Sequence, residues 1–330
     1  MANILVTGGA GYIGAHTVRA LLARGDHAVV YDNLATSKLE TIDKLKREGA
    51  VTFVQGDIND TAGLDQVFAA HPIDAVIHFA AWKNAGESML KPAKYFENNV
   101  AGTNRLLDAI QRAGVRRIVF SGSCSVYGTP ARLPVDESFP LNPESVYAHT
   151  KLMCEQMMDW FDKRHSVRYV SLRYFNAAGA SADGLIGEEP AQSANLIPVV
   201  MEATLGRRPG IQVFGDDYPT PDGTCIRDYI HVSDLADAHV RALDYMARED
   251  RSDIFNIGTG EGTSVKQIID ATERASERTV PAETVGRRAG DPVAIYADNT
   301  KARTLLGWAP QYGLEAIISH AWNWHKGIVA

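Results

Sequence analysis

Tyr147 and Lys151 stand four residues apart in the stretch YAHTK. On a helix that spacing puts both side chains on one face, the lysine one turn beyond the tyrosine. Of the 12 tyrosines in the chain, this one alone has a lysine at that offset. A phenol beside a cation is a candidate base. A free tyrosine titrates near 10, so work around neutrality requires a drop of about three units, or about 4 kcal/mol. Each neighbouring cation supplies about 1 to 3 units. Upstream, SGSCS offers Ser121, Ser123 and Ser125. Ser123 is the favoured hydroxyl for holding a substrate oxygen and passing its proton to Tyr147. While the chain stays extended, alternation places all three serines on one face and does not separate them. Cys124 reads as a small packed side chain, since no histidine in the sequence suggests an activating partner.

The stretch that would bring a reacting group to Tyr147 is the opening one, Asn3 to Arg24, NILVTGGAGYIGAHTVRALLAR. Ile4, Leu5 and Val6 form a short apolar run, and after TGGAGYIG the apolar residues Ile13, Val18, Leu21 and Leu22 recur at helical spacing. That is strand, glycine turn, helix. Gly8, Gly11 and Gly14 let the turn close, let a pyrophosphate approach the backbone and let the helix pack on the strand. A helix beginning there has unpartnered N–H groups and the positive end of its dipole, which bind phosphate. A second strand, HAVVYDN, ends in Asp32, about 20 residues on, where an acid for the adenosine ribose hydroxyls is expected. Asp32 would repel a 2′-phosphate by about 4 kcal/mol at contact distance and an effective dielectric near 20. No Arg or Lys follows at Asn33, Leu34 or Ala35 to offset this, so NAD is favoured over NADP. An oxidised nicotinamide is then a second positive charge beside Tyr147.

Further on, VTFVQGDIND reads as a strand ending at Asp57, DAVIHFAAWK as a buried strand, RRIVFSGSCSVYG as a fifth and RYVSLRYFN as a sixth. Helices are predicted between them at Lys38 to Arg47, Thr61 to Ala70, Pro92 to Ala113 and Tyr147 to Arg164. Strands alternating with helices give right-handed crossovers and a parallel sheet covered on both faces. Ligands bind outside the carboxyl ends of such strands, here Thr7, Asp32, Asp57, Phe79 to Ala81 and Ser121 to Ser123. The fold class is α/β, a Rossmann-type doubly wound parallel sheet with a smaller C-terminal α/β domain. Residues 1–175 form the NAD-binding part and 176–330 the substrate-binding part, with some later elements returning to the first.

The 330 residues are 45% hydrophobic and carry a formal charge of -7, which argues against an electrostatic nucleic-acid binder. Three cysteines without CxxC spacing indicate neither a disulfide framework nor a zinc site. The apolar start is interrupted by glycines and lacks a charged leader, and no apolar run reaches membrane-spanning length. A cytoplasmic protein without metal, membrane or nucleic-acid partner is expected.

With TGGAGYIG, YDNL, NNVAGT, SVYG, YAHTK and LRYFNAAGA, and with the more specific FGDDYPTPDGTCIRDYIHV and RRAGDP of the second half, the chain resembles the extended short-chain dehydrogenase/reductases. Within them it is similar to the nucleotide-sugar epimerases. The resemblance covers essentially the whole chain. It implies interconversion of UDP-galactose and UDP-glucose with a tightly held NAD. Tyr147 would take the 4-hydroxyl proton as C4 gives up hydride, and the 4-keto sugar would turn over before hydride returns. By motif, NAD would touch Tyr12, Ile13, Asp32, Asn33, Leu34, Ala35, Thr36, Ser37, Asp57, Ile58, Phe79, Ala80, Ala81, Lys83, Asn98, Tyr147, Lys151 and Phe175. The UDP-sugar would touch Asn176, Asn195, Leu196, Arg227, Tyr229, Arg288 and Asp291, with Ser123 on its 4-oxygen. Chemistry independently favours guanidinium forks for a diphosphate, and Arg227 and Arg288 read as loop residues away from helix faces.

Departures from the family are few. Cys225 stands where glycine is common, with only a packing change expected. Ile295 resembles the position where side-chain size limits the sugar pocket: tyrosine there goes with plain hexoses, a smaller residue with N-acetylated sugars, and isoleucine lies between. Ser123, Cys124 and Ser125 replace the Thr-Asp-Glu run of the 4,6-dehydratases, so no acid or base stands ready to eliminate water. The alternatives are an epimerase of UDP-N-acetylhexosamines, another NAD-dependent nucleotide-sugar modifier, or a non-catalytic NAD-binding sensor. The family also implies a homodimer through the helices at Pro92 to Ala113 and Tyr147 to Arg164. Met153, Met157, Met158, Trp160 and Phe161 make the second of these apolar on more than one side, as an interface or burial against its own sheet requires.

Overall fold

The structure is a computed structural model and describes residues 1–190, 193, 195–288 and 290–328. Six strands, β1 (Asn3–Thr7), β2 (His27–Asp32), β3 (Val51–Gln55), β4 (Ala75–His78), β5 (Arg117–Ser121) and β6 (Arg168–Tyr174), alternate with helices. They form one parallel sheet in the order β6-β5-β4-β1-β2-β3, and Asp253–Ile257 adds a seventh parallel strand beside β6. Val29, Val30, Val76, Ile77, Ile118 and Val119 are wholly buried. Such continuous apolar runs are what a sheet covered on both faces requires. The doubly wound sheet expected from the sequence is therefore present, and its strand order reverses between β1 and β4.

At that reversal the strand ends are pinned by one histidine. His78, on β4, lies 2.6 Å through Nδ1 from the Thr7 hydroxyl on β1 and 2.9 Å through Nε2 from the Thr103 hydroxyl. Thr103 already donates to the Asn99 carbonyl, so His78 donates through Nε2 and accepts from Thr7 at Nδ1. Burial, with the Lys151 charge adding to it, pushes His78 down to about 3, which keeps this bridge neutral.

Two local departures from the expected elements follow from side-chain hydrogen bonds. The helix anticipated over Pro92 to Ala113 is broken into Pro92–Tyr95, a π-helical turn Phe96–Ala101 and Gly102–Arg112. In the wide turn Asn99 grips the Trp82 backbone at both its N–H and C=O, and its own carbonyl accepts the Thr103 hydroxyl and the Cys154 thiol. β5 stops at Ser121, and Ser123 caps a single 3-10 turn, Cys124–Tyr127, by accepting from the Ser125 N–H.

Beyond β6 the elements shorten. Asn176–Ala178 pairs with Tyr229–His231, Ile226–Arg227 lies between Thr263–Ser264 and Ala294–Ile295, and Ile211–Phe214 pairs with Ala282–Val285. Helices Leu196–Thr204, Val265–Ser276 and Leu314–Gly327 close a separate core around Val200, Met201, Ile268, Ile317 and Ile318. Helix Val232–Glu249 crosses back, and its Leu235, Ala238 and Met246 join Val18 and Leu21 in the main core. The main sheet thus draws its edge strand from chain well beyond residue 176.

Candidate active site

Over the β1–β4 reversal lies a cavity walled by the glycine turn. Gly8 holds φ +71°, and a Cβ there would sit 2.7 Å from the Ala80 nitrogen; one on Gly14 would sit 2.3 Å from the Gly8 carbonyl oxygen. Both positions are closed by backbone. Gly11 differs, since its Cβ would meet only the Gly8 oxygen at 3.3 Å while the residue itself lines the cavity. Helix Tyr12–Ala23 begins there with no side-chain cap, so its first N–H groups face a cradle that glycine alone leaves open.

Asp32, expected at the ribose, and Asp57, expected among the NAD contacts, are in the same wall. Asp32 is buried and accepts from the Ala10 N–H through Oδ2 at 3.0 Å and from the Leu34 N–H and Ser37 hydroxyl through Oδ1 at 2.9 Å each. A carboxylate has about four acceptor sites, so one remains for a ribose hydroxyl rather than the two sites a pair of hydroxyls would need. Asp57 takes hydrogen bonds from Asn33 at 2.8 Å and from Asn59. Burial pushes its carboxyl up, but these bonds outweigh it and hold the group below its ordinary value.

Of the residues expected to hold NAD, all but Leu34 and Phe175 line this cavity. Leu34, at φ +59°, turns its N–H onto Asp32 and its side chain onto the core. Phe175 is buried with Val126, Tyr127 and Phe139 in a cluster beside it.

Tyr147 and Lys151 enter from helix Val146–His165, whose Ser145 cap accepts from the Ala148 N–H. Both line the cavity, with the ammonium 5.9 Å from the Tyr147 ring centre. The expected drop in the phenol's pKa is absent from the protein's own groups. Burial raises Tyr147 well above its ordinary value, Tyr174 adds to this, and Ser123 pulls the other way. Lys151 is itself buried, donates to the Ser121 carbonyl at 2.7 Å and is pushed down to about 8 by that burial. A cation that is costly to hold and turned to a carbonyl is a weak counter-charge for a phenolate.

The serines separate once the chain leaves the strand. Ser121 Oγ is 2.7 Å from the Tyr174 hydroxyl, and Ser123 Oγ is 2.8 Å from Ser125 Oγ. Cys124 is raised to about 12, chiefly by burial, and is inert as a nucleophile.

A second cavity lies in the second half, lined by Asn176, Asn195, Leu196, Arg227, Tyr229, Arg288 and Asp291. Ser123 lines neither cavity. Contrary to the loop reading, Arg227 sits on the short strand Ile226–Arg227, where its Nη1 donates to the Ile226 and Pro292 carbonyls at 2.8 Å each. Arg227 and Arg288 converge on Asp291, at 3.5 Å and 2.9 Å. One carboxylate between two guanidinium groups leaves a net positive charge on the cavity wall, chemistry that suits an anion. Ile295 is buried with Val126, Tyr127 and Phe175 and lines neither cavity.

Glu188 and Trp324 also wall the first cavity, and sequence reasoning missed both. GLIGEEP reads as an acidic turn, and nothing local marks which of its glutamates is buried. Asn99 was overlooked beside Asn98, although the doubled asparagine in ENNVAG, inside an apolar helical pattern, is a signal for a buried polar contact. Among the described residues no cluster of three or more His, Cys, Asp or Glu has the geometry for a metal ion, and no helix is long and apolar enough to cross a membrane.

A family profile described as NAD dependent epimerase/dehydratase family matches residues 4–258. UDP-glucose 4-epimerase of Rhizobium meliloti (strain 1021) is 49% identical over 324 residues, covering 98% of this chain and 97% of that protein. The crystal structure of UDP-glucose 4-epimerase from Brucella ovis in complex with NAD superposes with a TM-score of 0.94 at 46% identity, covering 98% of each chain. That of the Stenotrophomonas maltophila enzyme, with bound NAD and formylated UDP-arabinopyranose, gives 0.96 at 42% identity over 99% of this chain and 98% of the other.

Proposed function

The chain belongs to the NAD dependent epimerase/dehydratase family, and from that premise we propose that it interconverts UDP-galactose and UDP-glucose with a tightly held NAD. The observation that carries the reading is the position of Tyr147 and Lys151 on the wall of the glycine-turn cavity, next to the second cavity with its arginine fork. NAD, when bound, would supply reversible hydride transfer at sugar C4. The open cradle at Gly11, the uncapped helix start and the remaining acceptor site of Asp32 suit its pyrophosphate and ribose.

The chain's own residues handle the proton and the leash. Tyr147 holds and returns the 4-hydroxyl proton; Ser123 lines neither cavity, and what supports its role on the 4-oxygen is its hydroxyl beside Tyr147, whose pKa it pulls down. Lys151 keeps a positive charge beneath the phenol at neutral pH, and the positive ring of the oxidised cofactor is the second cation that offsets burial of Tyr147. Arg227 and Arg288 grip the diphosphate, Asp291 aligning both forks, with Asn176, Asn195, Leu196 and Tyr229 lining the same pocket. Held by its diphosphate, a flattened keto sugar can turn over without leaving.

We further propose a homodimer in the cytoplasm. Met89 and Leu90 on helix Ala85–Leu90, Phe96 on the π-helical turn and Trp160 further along helix Val146–His165 are exposed apolar residues on elements that pack on one another, and a second copy would take them out of water. The test of function is conversion of UDP-galactose to UDP-glucose by protein as purified, with no NAD added. Turnover with bound cofactor is expected; protein that holds no NAD and stays inactive would overturn the reading.

A further inference from the structure

Between the two cavities stands a buried carboxylate with no assigned role. Glu188 is 4% exposed and lines the cofactor cavity. Its Oε1 accepts from Lys83 Nζ at 2.9 Å and from Asn195 Nδ2 at 2.9 Å. Lys83 belongs to the wall of the first cavity and Asn195 to that of the second. One oxygen atom therefore fixes a cation on the cofactor side and an amide on the sugar side. The segment carrying it is held independently. The Trp324 indole donates to the Glu188 carbonyl at 2.9 Å, and Gly187 lies so close to that ring that a Cβ would stand 2.5 Å from its Cγ. Lys38 reaches the next residue, Glu189, at 2.7 Å. The backbone is thus anchored without help from the Glu188 side chain, whose charge is left to position other groups.

We propose that Glu188 is a positioning residue, setting Lys83 for the cofactor and Asn195 for the UDP-sugar through a single carboxylate oxygen. The inference rests on the reading of the two cavities given above. A charged acceptor holds Lys83 by Coulomb attraction and hydrogen bonding, whereas Asn195 needs only an oxygen. The two functions therefore part under substitution. Glu188→Gln keeps the acceptor and loses the charge, and Glu188→Ala loses both.

The experiment uses holoenzyme and follows two quantities: the rate at which bound NAD escapes to a large excess of an NAD-scavenging dehydrogenase, and KM for UDP-galactose. Glu188→Gln should release NAD about tenfold faster while KM stays within about threefold, because a charge-assisted bond becomes a neutral one. Glu188→Ala should also raise KM by about tenfold. In an Asn195→Ala background Glu188→Ala should no longer raise KM, and in a Lys83→Met background it should no longer speed NAD loss. Rescue of KM but not of cofactor retention by glutamine is a signature that simple loss of packing does not produce. Equal effects of Gln and Ala on both quantities, or additive effects in those backgrounds, would overturn the proposal. Wild-type protein without NAD or turnover would instead overturn the functional reading and this inference with it.

Discussion

Tyr147 is asked to be a base where the protein's own groups make it a poor one. Burial is the largest influence and raises its pKa, and the Ser123 hydroxyl pulls it down. A residue so placed would stay protonated unless a further positive charge stood beside it, as an oxidised nicotinamide would supply. Lys151 shares the bias: pushed down to about 8 by burial, it is cationic at neutral pH without being locked to a carboxylate. Removing the phenolic oxygen alone should separate chemistry from binding. Tyr147→Phe is expected to lower kcat by about 10²- to 10⁴-fold, the usual worth of a positioned acid–base group, with NAD content of the purified protein nearly unchanged. Absorbance of the bound cofactor and initial rates on UDP-galactose check both halves, and undiminished turnover would dismiss this tyrosine as the base.

The strand–turn–helix unit at the N-terminus makes a prediction that belongs to the element. Gly11 and Gly14 carry the same sequence signal, yet their surroundings differ: one faces open cavity, the other the Gly8 backbone at 2.3 Å. Gly14→Ala should destabilise the protein by about 3 kcal/mol or more, since backbone cannot yield as a side chain does. Gly11→Ala should keep cofactor-free stability within about 1 kcal/mol, a helix-cap effect, and lose bound NAD. Urea unfolding and cofactor content after gel filtration distinguish them; NAD retained by Gly11→Ala would remove the cradle argument. Sequence alone made this element legible because glycine spacing and period are local. It also made a parallel, doubly wound sheet legible, since strands alternating with helices leave few topologies. The π-helical turn at Asn99 was not legible, because it is fixed by hydrogen bonds to chain far away, at Trp82 and Cys154. Glu188 was hidden for the same reason: its backbone carbonyl is held by Trp324, 136 residues along the chain, and its carboxylate by Lys83, 105 residues back.

At the scale of the molecule, two properties depend on what the assembled fold buries. His16, His78, His231 and His239 are all pushed down by burial, to about 4, 3, 3 and 4. Unfolded, each binds a proton near pH 6.5. Between about pH 6.5 and 4 the unfolded chain therefore holds more protons than the native one, and stability must fall as pH falls through that window. Urea midpoints should drop steeply from pH 6.5 to 4.5 and stay flat from 7 to 8 with respect to these groups; a midpoint indifferent to acid would contradict their burial as neutral rings. The second property concerns the outer helices. Met158 is fully buried, and Met157 and Phe161 pack with it against the subunit's own sheet, so those apolar residues of helix Val146–His165 serve the monomer. Trp160 does not: it is 58% exposed, and near the start of the same helix Leu90 at 84% and Met89 at 59% stand out from the short helix Ala85–Leu90. A second copy packing these helices against their counterparts is the simplest cover, because a two-fold axis matches like with like. Sedimentation velocity should find a dimer at micromolar concentration. Leu90→Glu combined with Trp160→Glu should yield a folded monomer with unchanged far-ultraviolet circular dichroism, since neither side chain contributes to the subunit core, and a monomeric wild type would remove the case for the interface.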